Sequence, residues 1–173
     1  MKKQAIGSVV LALVLGWSSS AFAKTAVASI MGTAPESTLS GTVMMTEADG
    51  GLDLVVLLDN VPPGKHGFHV HEIGACGDSG KAAGAHFNPD GHSHGSLYQE
   101  GLEGAHAGDL GNLQIGPSGG GTFKAFVAGL SLSEGKYNVA GRAVILHEKE
   151  DDFSQPAGNA GGRIGCGVIE LTS

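Results

Sequence analysis

The residues best suited to chemistry in this chain are its eight histidines. Two stand at i and i+2 in Gly67-Phe68-His69-Val70-His71. In a β-strand, side chains two apart share a face, so His69 and His71 project together while Phe68 and Val70 anchor the strand in an apolar core. Two neighbouring imidazoles can take two adjacent corners of a metal ion. His147, which ends the apolar stretch Arg142-Ala143-Val144-Ile145-Leu146, offers a third rigidly held imidazole for that set. A second set is His86, His94, His106 and Asp109, interspersed with Gly84, Gly91, Gly95, Gly104, Gly108 and Gly111. Three imidazoles and a carboxylate close a tetrahedral shell suited to zinc, and all-imidazole coordination suits copper as well as zinc.

Something must carry these side chains. No part of the chain after the N-terminal run sustains a 3.6-residue apolar period. Short β-like segments broken by glycine-rich turns predict strands at 27–32, 41–46, 52–58, 67–71, 122–130, 137–147 and 164–171. Asp49-Gly50 marks a hairpin turn, and Asn60-Val61-Pro62-Pro63-Gly64 marks another reversal. Many short strands with regular turns predict an all-β antiparallel sandwich or barrel. The segment from His71 to Thr122 shows little strand pattern and is expected to be a long functional loop. A second loop is expected from Glu148 to Gly162.

The first 23 residues read as a secretory signal: Lys2 and Lys3, an apolar run from Ile6 to Leu15, then Ala21-Phe22-Ala23. That run is too short for a membrane span. Cleavage after Ala23 leaves one domain, 24–173, and no cysteine near the cut to carry a lipid anchor. Losing Lys2 and Lys3 takes the ten basic residues to eight against 17 acidic ones, a formal charge of −9. Such a balance argues against nucleic acid and anionic membranes as partners. The two cysteines, Cys76 and Cys166, suggest a disulfide in an exported protein.

Taken together, these motifs resemble the copper/zinc superoxide dismutases of the exported bacterial kind. The matching pieces are Gly67 to Glu72, Gly84 to Pro89, His106 to Gly111, Gly141 to Glu148 and Gly158 to Val168, in the family's order. The resemblance implies a Greek-key β-barrel of immunoglobulin-like architecture, with two long functional loops and the metal site at one end beneath them. It implies one copper, held by His69, His71, His86 and His147, and one zinc, held by His86, His94, His106 and Asp109. His86 would bridge both metals. Asp151 matches a carboxylate that links His69 to His94, Arg163 the arginine beside the open copper face, and Cys76 with Cys166 the family's disulfide pair. The implied activity is disproportionation of superoxide, with Arg163 and His86 in catalytic roles, in the periplasm.

Some readings stay open on the sequence alone. Asp152 is as good a carboxylate as Asp151, and Asp90-Gly91-His92-Ser93-His94 offers two histidines for one ligand position. His66 reads as a hydrogen-bonded structural residue. The chain departs from the better-known eukaryotic pattern in three ways. Cys76 follows His71 closely, the segment 95–105 is longer, and the loop from His147 to Arg163 is short. That loop lacks the familiar charged guidance residues; Lys149 can replace part of their function, in competition with its acidic neighbours. A homodimer is compatible with the resemblance, but the string does not give its surface. A non-catalytic copper- and zinc-binding protein on the same fold, or a β-sandwich with incidental histidines, are the competing classes.

Overall fold

The computed structural model describes residues 23–172. The expected leader therefore lies outside the described residues, apart from Ala23. Eight strands form one antiparallel sheet: β1 Thr25–Gly32, β2 Ser40–Ala48, β3 Gly51–Asp59, β4 Gly64–His71, β5 Asp109–Ile115, β6 Gly121–Ala128, β7 Ala143–His147 and β8 Arg163–Thr172. Their spatial order is β5-β4-β7-β8-β1-β2-β3-β6. The sheet curls into a barrel that is nearly closed, with β5 and β6 as its two edges. The four-residue connection from β3 to β4 and the longer one from β6 to β7 both join strands that are not neighbours in the sheet, which gives the Greek-key topology that the resemblance implies.

Alternation drives the curl. Ala26, Ala28 and Ile30 of β1, Val43 and Met45 of β2, and Leu52, Leu54, Val56 and Leu58 of β3 all point inward and are buried. Phe68 and Val70 of β4 and Val144 and Leu146 of β7 complete that core. The hairpin between β2 and β3 turns at Asp49-Gly50, with Ala48 paired to Gly51. Gly50 takes φ +76°, a left-handed conformation that glycine adopts without a Cβ clash.

Two expectations need correction. The long stretch after His71 is not all loop. It contains a 3-10 turn at Lys81–Ala83, a short helix α1 at Leu97–Glu100, and the whole of β5. Asp109 therefore opens a strand rather than sitting on the loop. Conversely, 137–142 is not strand: only Ala143–His147 belongs to β7. Residues 129–142 cross the barrel end and pack Leu130, Leu132 and Val139 into the core as a plug. The Glu47 carboxylate fastens that crossing by accepting the N–H groups of Leu132 and Ser133, at 2.9 and 2.8 Å.

A further correction concerns where the site lies. Val144 and Leu146 face the barrel, so Ala143 and Ile145 face away from it. They join Ala83 and Cys166 in a small outer cluster beneath the disulfide loop. His69 and His71 share that outer face, paired with Ile145 and Ala143. The histidines lie against the side of the barrel, roofed by the loops, and not at its end. Among the described residues, no helix is long and apolar enough to cross a membrane.

Candidate metal centre

Each histidine is placed by a distinct local device. His69 and His71 come from β4, whose pairing with β5 shifts register between Gly67 and His69. A bulge of this kind re-aims a side chain at the cost of ladder regularity. His147 stands at a second register shift, where β7 pairs with β8. His86 follows the 3-10 turn and forms an isolated bridge with His71. The loop that delivers it is tied to β8 by the Cys76–Cys166 disulfide. It is held at its base by Arg142, whose guanidinium carbon lies 3.6 Å above the Phe87 ring. Arg142 also donates to the Glu72 carbonyl at 2.9 Å.

The result is two donor groups sharing one ring. His69, His71, His86 and His147 bring one ring nitrogen each within 4.8 Å of one another, and one ring nitrogen each of His86, His94 and His106 gathers as closely with a carboxylate oxygen of Asp109. All seven residues are buried. The structure thus gathers every predicted ligand residue.

The hydrogen bonds say which nitrogens are free for a metal. His71 Nδ1–H donates to the Gly84 carbonyl at 3.0 Å, leaving Nε2 with its lone pair. His147 Nδ1 faces the Gly161 carbonyl at 3.4 Å, and its Nε2 lies 3.4 Å from His71 Nε2. His69 Nε2 is taken by Asp151 Oδ2 at 2.8 Å. Its Nδ1 is fully buried with no hydrogen-bond partner. A buried ring nitrogen without a partner is costly unless a ligand completes it. The outer hydrogen bond fixes the tautomer and aims the opposite nitrogen, as metal-binding histidines require.

On the other side Asp109 gathers three rings. Its oxygens lie 2.8 Å from His86 Nδ1, 2.9 Å from His94 Nδ1 and 3.1 Å from His106 Nδ1. The His94 approach is not a hydrogen bond, and that Nδ1 is the second buried nitrogen left without a partner. Three Nδ1 atoms and a carboxylate around one point match a tetrahedral zinc shell. The donor chemistry of both groups therefore fits copper and zinc.

Asp151 settles between the two groups. Its Oδ2 meets His69 Nε2, and its Oδ1 meets His94 Nε2 at 2.9 Å. Asp152 instead points outward, accepting from Ser154 and Asn159. Gly158 makes room for the bridge. A Cβ there would stand 1.8 Å from Asp151 Oδ1 and 2.6 Å from His94 Nε2, and its φ of +72° also favours glycine. His92 takes no place in either group; its peptide N–H and carbonyl are held by the Asn88 side chain. His66 is structural, with its ring nitrogens 2.8 Å from the carbonyls of His147 and Pro62.

The electrostatics follow from burial and from these contacts. Burial pushes His71 down to about 2, and burial with neighbouring histidines pushes His147 to about 3. Burial also pushes His86 to about 4, against the pull of Asp109. These rings are neutral, hence ligand-ready. Burial opposes charge on His94 as well, yet the neighbouring carboxylates of Asp109 and Asp151 carry it up to about 9. Burial would raise Asp109 and Asp151, but the histidines around them hold both well below the usual carboxylate range.

A cleft of about 620 Å³ opens onto the first group, lined by His71, His86, His147, Asn159 and Arg163 among others. Arg163 is the one fixed cation among the lining residues, and Lys149 is not one of them. Its guanidinium donates to the carbonyls of Gly80 at 2.7 Å and Gly84 at 2.6 Å. The Gly84 carbonyl thus accepts from both Arg163 and His71, linking the cation to a candidate ligand through one oxygen. The sequence reading missed this carbonyl pair. It also missed Asn112, whose amide donates to the Asp151 carbonyl at 2.8 Å and accepts the Asp151 N–H at 2.7 Å. Backbone acceptors carry no residue-type signal, and a lone asparagine on an unrecognised strand carries little.

The family model for copper/zinc superoxide dismutase (SODC) matches residues 39–169. "Superoxide dismutase [Cu-Zn] 2" of Brassica juncea is 38% identical over 141 residues, covering 77% of this chain and 90% of that protein. The crystal structure of the clock protein EA4 superposes with a TM-score of 0.76 at 34% identity, covering 90% of this chain and 99% of that one. With the barrel, the paired donor groups and the disulfide already in place, the chain belongs to the copper/zinc superoxide dismutase family: it is an oxidoreductase that disproportionates superoxide with one copper and one zinc.

Proposed function

We propose that His69, His71, His86 and His147 hold the copper, and that His86, His94, His106 and Asp109 hold the zinc. The observation that carries this reading is the single His86 ring, common to both donor groups. Its Nδ1 faces Asp109, so Nε2 would be the nitrogen left for the copper group. When bound, copper supplies one-electron chemistry between two oxidation states, and zinc supplies a fixed charge without redox change. Two superoxide anions and two protons give one dioxygen and one hydrogen peroxide.

The protein's residues supply the rest. Arg163, fixed by two carbonyls, presents its charge to the anion at the cleft, in a geometry a lysine would not reproduce. His86 Nε2 would take up a proton when it is not engaged and return it to the product, while Nδ1 stays against Asp109. Asp151 holds His69 and His94 in register, so the two donor groups keep their spacing. The loops bury both groups, so anions reach them through the cleft.

We also place the enzyme outside the cytoplasm, in the periplasm, with residues 1–23 removed as a leader. There it would protect components from superoxide that does not readily cross a membrane. The Cys76–Cys166 bridge supports an oxidising compartment. Metal analysis combined with a superoxide-consumption assay tests the site. One copper and one zinc per chain are expected, with zinc lost in Asp109→Ala protein and activity lost in any copper-free preparation. Full activity without copper would overturn the assignment. N-terminal sequencing of protein recovered from the periplasmic fraction should begin at Lys24, and an intact Met1 there would overturn the leader.

A further inference from the structure

We infer that Gln155 is a positioning residue for His94, and through it for retention of the zinc. The inference rests on the zinc set proposed above. His94 lies outside every strand and helix, so no ladder holds its peptide groups. Gln155 supplies a partner to each: its Oε1 accepts the His94 N–H at 3.0 Å, and its Nε2 donates to the His94 carbonyl at 2.8 Å. The two atoms of one amide thus grip one residue's backbone, fixing both its position and its rotation about the chain.

The same short segment holds the ring. Asp151 Oδ1 meets His94 Nε2 at 2.9 Å. Phe153 lies nearly parallel to the imidazole, with centroids 6.4 Å apart and planes 20° apart. Residues 151, 153 and 155 alternate along the chain, and each reaches His94 in a different way. Backbone, ring face and ring nitrogen are all set by one stretch of the loop between β7 and β8. What remains is Nδ1, left aimed at Asp109. Gln155 is itself exposed and contributes nothing to the core, so its role lies in this grip. Its side chain hydrogen-bonds to His94 and to none of His69, His71, His86 and His147, and its loss should therefore act on one metal and not the other.

The test compares Gln155→Ala and Gln155→Glu with wild type, all loaded with copper and zinc. Zinc release into a coloured chelator gives the rate. Cobalt(II) loaded in place of zinc gives a visible spectrum that reports ligand geometry, and the copper(II) visible band reports the other site. Gln155→Ala should release zinc about 10- to 100-fold faster, the range for losing a partner that orients a ligand. Its cobalt spectrum should shift and its copper band should not. Gln155→Glu keeps the acceptor for the His94 N–H but sets an oxygen against the His94 carbonyl, so its rate should fall between the other two. Equal zinc release in wild type and both variants would overturn the inference. So would matched losses of zinc and copper, which would mark general loosening. A wild-type protein that retains no zinc would overturn the site assignment and this inference together. A melting curve of each metal-free variant confirms that it folds.

Discussion

The two halves of the sheet are built on different terms. Strands β1, β2, β3 and β6 pair in long unbroken ladders: nine consecutive pairs join β2 to β3 and eight join β3 to β6. One face is buried and the other meets solvent. Strands β4, β5 and β7 are shorter in their pairing, and register breaks at Gly67/His69 and at Leu146/His147. There β7 is buried at every position, because loops cover its outer face. Both breaks fall beside proposed copper ligands. The regular half is shaped by apolar burial. The irregular half gives up ladder geometry to aim histidines, and recovers order from polar contacts, a disulfide and metal. Changes in the first half should therefore cost stability whatever the metal content, and changes in the second should act mainly through the metals.

The sharpest way to break that contrast is His147→Ala. It removes a proposed copper ligand at the end of β7 while leaving the barrel core intact. Superoxide consumption should fall at least about 100-fold, beyond the range typical of outer partners. The metal-free protein should melt close to the wild-type temperature. A large melting shift in the metal-free form would mean that His147 belongs to the folding core rather than to the site.

The converse is Ile30→Ala in β1. Ile30 is fully buried in the regular half. Its truncation should cost about 2–5 kcal/mol, from lost transfer energy and the cavity left behind. Denaturant titration should give the same loss with and without metals, and activity per folded molecule should be kept. A loss seen only in the metal-loaded form would join the two halves energetically.

How far was this contrast readable from the string? Alternation exposed the regular half well: the expected strands 41–46 and 52–58 are β2 and β3 extended by one or two residues at each end. It failed where burial is two-sided or interrupted. β5 went unread because Asp109-Leu110-Gly111-Asn112-Leu113 has little alternation, and Gly111 at φ +74° sits within a glycine-rich stretch. The 137–142 segment looked like strand because Tyr137 and Val139 alternate, yet Val139 is buried as part of a plug. For the site the balance reverses. Histidine and aspartate announce themselves by type, so all seven donors were legible. Geometry resolved Asp151 from Asp152 and His94 from His92. The supports were not legible, because the carbonyls of Gly80 and Gly84 and the amides of Asn112 and Gln155 act through shape.

Acid titration of the metal-free protein probes the buried rings of the irregular half. His71, His86 and His147 have folded values of about 2, 4 and 3, below their ordinary 6.5. A depressed histidine contributes stability that is complete above 6.5 and lost as pH falls toward the folded value. His94, raised to about 9, acts with the opposite sign: its contribution is complete below 6.5 and lost as pH rises through 9. Between pH 6.5 and 4 three groups lose stability and none gains it. The melting temperature of the metal-free protein should fall across that window, and bound metal should flatten the fall by competing with protons for the same nitrogens. A flat metal-free profile would show that burial of these rings carries no energetic weight.

Arg163→Lys asks whether the cation works by charge or by shape. Lysine keeps the charge but cannot donate to Gly80 and Gly84 while facing the cleft. A drop in kcat/KM of about tenfold, equivalent to about 1.4 kcal/mol, is expected. Metal content should stay at the wild-type value, since Arg163 donates to no ligand side chain. Unchanged kcat/KM would reduce the arginine to a point charge and make the shared Gly84 carbonyl incidental.

The effect least visible in activity belongs to Asn112, which lies in the irregular half and whose side chain hydrogen-bonds to Asp151 and to no proposed ligand. Its amide grips the Asp151 backbone on both sides, and Asp151 in turn holds His69 and His94. Asn112→Ala removes two hydrogen bonds worth about 1 kcal/mol each and leaves the β5 ladder unaltered. If the irregular half is organised through its metals, most of that loss should appear as weaker metal retention. The denaturation midpoint of the metal-free protein should move little. A loss shared equally by the metal-free and loaded forms would instead make Asn112 an ordinary strut between β5 and the loop that follows β7, placing this part of the irregular half on the same terms as the regular one.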